Sequence, residues 1–421
     1  MLKVRLEPGS GVERSLEPFY KGVASVFSKS LDEGYLRIAS YVSLEALTAS
    51  SIIYALAMVQ GLDPILTLDH RPPPKIVEPS ILVGFSNVNY NPSDVESPLV
   101  VISSGSIKST PTPGSVYVEV DGSVGSAISL LIQSMKGAAA RRDLLMASIA
   151  SYYMGRYVDR VGKFHRLDRH AFSSLMKDSG LPVEVVTTLK AYKPNDLEPC
   201  RSISLTVNPL YPGLTGDEQL CLDIAGGEAS SRKLGELASE EIERLAARIL
   251  AFIKEKTRRQ PDPQDYVGGI VVSRDPMSRI RDARMAADAF LFAAERPRDQ
   301  AQLLAVIADL DNEYVLAESS LEAYSEALPK ELEDSRLEKV KSFSWFKAYR
   351  SSVEPASPTL YWRALRLLGR VDKEDIVFFE GSGGLFTTVF LVEEALGPES
   401  ARKIVEAGIA RREGVLLWLK K

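Results

Sequence analysis

The chain has 421 residues, 45% of them apolar and 25% charged, with a formal net charge of −5. This is ample for more than one core and predicts two domains. The mild negative charge excludes a general attraction to nucleic acid or acidic lipid, so any such contact must come from a local patch.

Ser15 to Leu31 carries Leu16, Phe19, Val23, Val26 and Phe27 at helical spacing and predicts an amphipathic helix packed on a sheet. Tyr35 to Gly61, around which the chain is organised, predicts a strand, a turn and a helix. Leu36, Ile38 and Val42 suit a buried strand, Ser43 suits an N-cap, and Ala46 to Met58 has helical spacing. Further strands are predicted at Asp63–Leu68, Ser80–Phe85, Pro98–Ile102 and Ser115–Val120, giving a largely parallel sheet buried on both faces. Helices are expected at Val124–Met135, where Gly125, Ser126 and Ala127 allow close packing, and at Asp143–Met154. Phe172–Lys193 reads as helix in two pieces, and Ser202–Gly216 as a short strand and a turn-rich loop.

A composition shift follows. Ser231–Lys256 is charged and helical, Thr257–Asp265 reads as a linker, and Gly268–Ser273 could open a second sheet. Met277–Glu295 and Gln300–Glu333 are mainly helical, Val353–Pro358 is a loop, and Asp375–Glu380 and Gly414–Leu419 are strands with helices between. The division is therefore 1–225, an α/β domain with a parallel sheet; 226–266, a helical connector; and 267–421, a second, smaller α/β domain.

Chemistry in open α/β sheets gathers at strand tips. The first tip, Tyr41-Val42-Ser43-Leu44-Glu45-Ala46, carries one carboxylate, no His and no Gly. Asp69-His70-Arg71 and Gly381-Ser382-Gly383-Gly384 read as tight turns; the second lacks the Lys-Ser/Thr of a P-loop. No G-x-S-x-G occurs. Arg156, Arg160, Lys163, Arg166 and Arg169 form a basic cluster that reads equally as a phosphate-contacting patch or a solvated, salt-bridged loop. Tyr152, Tyr153, Tyr157 and Phe164 lie beside it and keep a single-strand-binding module open. Cys200 and Cys221 allow a disulfide without implying one, and with three scattered histidines cannot build a four-ligand zinc site. No stretch reaches the ~18 apolar residues of a membrane span, and MLKVRLEPGS has no apolar signal core, so a cytoplasmic location is expected.

Residues 16 to about 225 resemble the archaeal RecJ-like branch of the Asp-His-His (DHH) phosphoesterase superfamily, which includes relatives of cell division cycle protein 45, partners of the replicative helicase. The resemblance rests on the leading helix Leu16–Leu31 and on Tyr41 to Ala49 standing where the family has H-x-D-x-D-G-x-x-S. It rests also on Val120-Asp121-Gly122 ahead of a small-residue helix, and on the loop Asn208-Pro209-Leu210-Tyr211-Pro212-Gly213-Leu214-Thr215-Gly216. The resemblance implies that the family's metal-site positions fall on Tyr41, Ser43 and Glu45, near Ser86, and on Ser103 and Ser104; a fourth metal-binding Asp belongs near Gly155, where there is none. The family's Gly-Gly-His motif is absent. Neutral hydroxyls do not offset the cost of dehydrating Mn²⁺ or Mg²⁺. The expectation is a catalytically inactive scaffold of an archaeal replicative helicase assembly, without cofactor, with the GINS complex and the MCM helicase as partners, single-stranded DNA as a further ligand and no membrane. The alternative is a divergent metal-dependent single-strand exonuclease or phosphodiesterase. Phe290, Phe292, Trp345, Phe346, Tyr361 and Trp362 supply candidate partner anchors, of which several must be core.

Overall fold

The computed structural model describes residues 11–86, 90, 92, 94–107, 112–135, 142–154, 165–178, 183–226, 232–295, 301–397 and 399–420. The first half runs α1 (Gly11–Glu33), β1 (Tyr35–Tyr41), α2 (Leu44–Val59), β2 (Asp63–Asp69), β3 (Lys75–Ile76), β4 (Ser80–Val83), β5 (Asp94–Val95), β6 (Leu99–Ser103), β7 (Ser115–Glu119), α3 (Val124–Ser134), α4 (Arg142–Met154), α5 (Arg166–Asp178), β8 (Val183–Leu189), α6 (Pro199–Ser204) and α7 (Glu218–Ala225). It continues with α8 (Ser239–Thr257), α9 (Pro263–Tyr266), β9 (Val267–Ser273), α10 (Ala283–Glu295), α11 (Ala301–Ala308) and α12 (Glu313–Asp334). The last part holds β10 (Leu337–Ser342), β11 (Lys347–Ser351), α13 (Pro358–Leu367), β12 (Ile376–Gly381), β13 (Gly384–Thr388), α14 (Val389–Leu396), α15 (Ser400–Glu406), β14 (Ala410–Glu413) and β15 (Leu416–Leu419).

Five parallel strands form the first sheet in the order β2-β1-β4-β6-β7. β4 and β6 are buried along their whole length, as continuous apolar runs in a covered parallel sheet must be. The chain leaves β1 toward β2 on one side and toward β4 on the other, so the order reverses at the β1/β4 tips, where open α/β sheets form a crevice. The amphipathic helix α1 packs on β1, β4, β6 and β7; at Gly22 it comes so close to β6 that a Cβ would stand 2.7 Å from Val100 Cγ2. α2 packs on β1, β2 and β4 and meets α3 and α4. The predicted close approach at Gly125 is real: a Cβ there would collide with the Ser151 hydroxyl of α4.

The second sheet has six strands in the order β10-β11-β12-β13-β15-β14 and shares one continuous apolar core with the first. Gly381–Gly384 is the hairpin turn between β12 and β13, as expected. At the other turn, Asp69 Oδ1 accepts from the backbone N–H of His70 and Arg71.

Four element readings are corrected. The second piece of Phe172–Lys193 is the strand β8: Val183, Val185, Val186, Thr187 and Thr188 are β-branched, and that stiffness outweighs the helical reading. Ser202–Gly216 contains no strand; Pro199 opens the helix α6, and irregular turns through a cis Asn208–Pro209 bond follow. Gly268–Ser273 does not open the second sheet, since β9 pairs antiparallel with β8. Residues 232–238 form a short 3-10 helix, Leu234–Glu236, and bends ahead of α8 rather than its first part. β10 and β11, with β13 and β14, were not anticipated. Cys200 and Cys221 are joined as a disulfide that ties α6 to α7. No helix among the described residues is long and apolar enough to cross a membrane.

Candidate functional site

The strand tips of the first sheet come together as the sequence implies. Tyr41 ends β1 opposite Asp69, and Ser103 ends β6 opposite Glu119. Between them the chain leaves β4 through Gly84, whose φ is +82° and where a Cβ would stand 2.4 Å from that of Ala46 at the start of α2. Only glycine fits so tight an exit. Ser86 lies two residues beyond, half-buried, its N–H donating to the Gly84 carbonyl.

The other candidate side chains have bonding partners in the fold. Ser43 is the N-cap of α2, its hydroxyl accepting from the Ala46 N–H at 3.3 Å. Glu45 Oε1 accepts from the Val124 N–H at 2.7 Å, the first residue of α3, and Oε2 accepts from the Ser104 hydroxyl at 3.2 Å. A carboxylate at a helix N-terminus is favoured by both the free N–H groups and the helix dipole. Ser103 is buried and its hydroxyl accepts from the Gly105 N–H.

The sequence reading did not single out Asp168. It sits in the first turn of α5, fully buried, with Oδ1 accepting from the Ser123 N–H (2.9 Å), the Ser123 hydroxyl (2.8 Å) and the Ser126 hydroxyl (2.5 Å). Burial raises its pKa, opposed by the Ser126 and Ser123 hydrogen bonds. Two carboxylates, Glu45 and Asp168, thus converge on the N-terminus of α3, the helix that follows Val120-Asp121-Gly122. No sequence signal marked Asp168, because the segment 155–164 separates it from the predicted motifs.

A second missed contact roofs the β1 tip. The Tyr41 hydroxyl donates to Glu393 Oε1 of α14 at 3.1 Å, across 352 residues of chain. Burial pushes the Glu393 carboxyl up to about 8, against the Tyr41 hydrogen bond and the Arg412 charge, which draw it down. Burial likewise raises the Tyr41 phenol, and the Glu393 charge adds to that rise. The position that the resemblance assigns to a histidine ligand therefore fastens the β1 tip to α14.

These residues do not fit a two-metal centre. Such a centre needs several carboxylates and histidines converging on open positions. Here the hydroxyls are neutral, those of Tyr41, Ser43, Ser103 and Ser104 are engaged, the two carboxylates face helix N–H groups, and no three His, Cys, Asp or Glu side chains come together as a metal site among the described residues. Of the basic cluster, Arg156, Arg160 and Lys163 lie outside the described residues, as do Gly155, Tyr157 and Phe164; Arg166 and Arg169 are exposed on α5. Tyr153 is only partly exposed, its hydroxyl accepting from the Val271 N–H of β9. Among the candidate anchors, Phe290, Phe292, Phe346, Tyr361 and Trp362 are core, and Trp345 is 38% exposed.

No protein-family model matches the chain, and neither does any curated protein. Solved structures do match. The crystal structure of CDC45 from Entamoeba histolytica superposes with a TM-score of 0.53 at 11% identity, covering 96% of this chain and 95% of that one. RecJ from Thermus thermophilus in complex with Mn²⁺ gives a TM-score of 0.41 at 13% identity over 100% of this chain and 53% of that one. Exonuclease RecJ bound to manganese gives 0.39 at 12% identity over 99% and 92%. At these identities a likeness is one of fold, and the chain carries the fold of the Entamoeba CDC45 structure across nearly its whole length.

Proposed function

We propose that this chain is a catalytically inactive, RecJ-like scaffold subunit of an archaeal replicative helicase assembly, binding the GINS complex and supporting the MCM helicase during DNA replication. The observation that carries the reading is the use of the strand-tip carboxylates: Glu45 and Asp168 hold the N-terminus of α3 instead of facing an open coordination site. The fold shared with CDC45 over 96% of the chain supports it. Tyr41, Ser43, Ser86, Ser103 and Ser104 are then positions from which metal ligands have been lost. The division into 1–225, 226–266 and 267–421 belongs to the same reading, with β9 packing back onto β8 of the first part.

A scaffold acts through its surface, and stable interfaces centre on aromatic anchors. Trp345, in the bend between β10 and β11, is the anchor the second half offers to GINS, with Val340 of β10 43% exposed ahead of it in the chain. Arg166 and Arg169 offer phosphate contacts for single-stranded DNA, which salt should weaken steeply while an apolar interface persists. Co-expression with GINS followed by size-exclusion chromatography tests the reading. A complex of fixed ratio that survives salt better than DNA binding is expected, and Trp345→Ala should weaken it by about 2 kcal/mol or more. Separate elution at micromolar concentration and low salt would overturn the assignment.

One observation favours the enzyme alternative, a divergent metal-dependent single-strand exonuclease or phosphodiesterase. Asp168 Oδ2 is buried with no hydrogen-bond partner among the described residues, a carboxylate oxygen placed beside the strand tips.

A further inference from the structure

A cavity of about 620 Å³ opens away from the strand tips, where the C-terminus of α8 and the segment after it face α10 and α13. Its volume lies in the range of small-molecule sites, roughly 300–1,000 Å³. Arg259, Arg284, Arg363 and Arg366 line it together with Lys190.

These cations are not equivalent. Arg363 is committed: Nε and Nη2 donate to Glu394 at 2.8 and 2.9 Å, and Nη1 donates to Asp288 at 3.0 Å. Asp288 also takes the Asn208 amide. Arg363 thereby offsets one of the two charges of Asp288 and Glu394, and Arg284, with Nη1 4.0 Å from Asp288 Oδ2, supplies the second cation. Arg284 is 8% exposed and bonds the Asn208 and Ala191 carbonyls through its terminal nitrogens, while its Nε meets no acceptor among the described residues. Arg366 lies over the Trp362 ring, 4.9 Å from its centroid, and neither it nor Arg259 is among the described ion pairs. The Arg259 guanidinium lies against Gly369, whose φ is +66° and where a Cβ would overlap it. The fold therefore brings two guanidiniums that form no ion pair among the described residues to one cavity and keeps a buried third beside them. Guanidinium forks match phosphate oxygens in shape and charge.

The cavity is also lined by Asp265 and by Asp262, whose Oδ1 caps α9 by accepting from the Gln264 N–H at 3.0 Å; their negative charge disfavours a bare polyanion. Its volume far exceeds that of a phosphate ion. We propose that this cavity binds a nucleoside phosphate, its phosphoryl group on Arg259 and Arg366 and its hydroxyl or amine donors toward the acidic side chains. The same chemistry is offered by a free mononucleotide and by the phosphorylated end of a strand. The proposal is independent of the helicase reading, since it rests on no strand-tip residue.

Calorimetric titration of the full chain with thymidine monophosphate, inorganic phosphate and a short 5′-phosphorylated oligothymidylate tests it. Saturable binding of thymidine monophosphate, tighter than that of inorganic phosphate, is expected. An R259Q/R366Q variant should lose at least about tenfold in affinity, a difference of 1.4 kcal/mol. Arg274→Gln, which removes an exposed partner of Glu184 outside the cavity, should not change it. Since Arg259 is exposed, R259Q alone is a second variant that should fold and weaken binding. Mononucleotide binding without oligonucleotide competition identifies the free nucleotide; competition that depends on Arg259 identifies the strand end. Absence of saturable binding by all three probes, equal affinity for inorganic phosphate, or binding unchanged in R259Q/R366Q would overturn the proposal.

Discussion

Glu295 and Asp168 are both buried carboxylates seated at helix N-termini, one in each half of the chain. Glu295, 1% exposed, uses both oxygens. It accepts from the N-cap Ser357 of α13, from the Thr359 N–H and hydroxyl in the first turn of that helix, and from Thr388, the N-cap of α14, at 2.7 Å. One carboxylate thereby ties two helices to α10. Asp168 uses one oxygen, three donors all from the start of α3, and leaves the other without a partner among the described residues. The difference teaches what hydroxyls can do for a buried acid. Enough of them satisfy it completely and make it a structural joint. At the strand tips they satisfy it halfway, and the joint shares its place with the crevice where this fold type puts chemistry.

The comparison breaks most visibly at Glu295. Replacing it with Leu strands the Ser357, Thr359 and Thr388 donors in the core, and a loss on the order of 3 kcal/mol is expected. Thermal unfolding followed by circular dichroism reads it, and a melting temperature equal to that of the parent would remove the joint from the account. Asp168→Ala is expected to cost about 1–3 kcal/mol, since it leaves the buried Ser123 N–H unpaired. Asp168→Asn keeps an acceptor at Oδ1 and should recover most of that loss; equal damage from both variants would show that the charge, not the hydrogen bonds, matters.

Glu393 sharpens the contrast through pH. Its carboxyl is held up to about 8, against an ordinary 4.5. Between those values the folded chain keeps a proton that the unfolded chain has released. This contribution to stability is therefore complete below about 4.5 and is lost as pH rises through 8. Glu393→Gln stays neutral and should flatten the decline of melting temperature across that window; parallel curves for parent and variant would contradict the assignment. The smallest effect belongs to Tyr41→Phe, which removes one hydrogen bond to Glu393 and should cost about 0.5–1.5 kcal/mol.

Much of the first half was legible. The apolar runs at Ser80–Val83 and Leu99–Ser103 could only be buried parallel strands, and Ser43 announced the start of α2. The second half hid its sheet. β10 reads LEKVKS, an edge strand exposed along nearly its whole length, and its Glu and Lys residues carry no strand periodicity. The candidate site was legible in its positions but not in its bonds. Tyr41 lies at the tip of β1, yet its partner Glu393 is 352 residues away, and Glu45 finds the Val124 N–H 79 residues away. Asp168 and Glu393 were illegible because a lone acid in an amphipathic helix looks the same whether it faces solvent or a neighbouring helix.

The claim on which the account turns is that the strand-tip acids hold α3 and not metal ions. Manganese titration of the purified chain by calorimetry, paired with a degradation assay on single-stranded DNA and short dinucleotides with and without chelator, tests it in one set of samples. The account predicts no stoichiometric Mn²⁺ binding and no metal-dependent degradation, in the parent and in Glu45→Gln alike. Saturable Mn²⁺ binding with turnover that both chelator and Glu45→Gln abolish would contradict it.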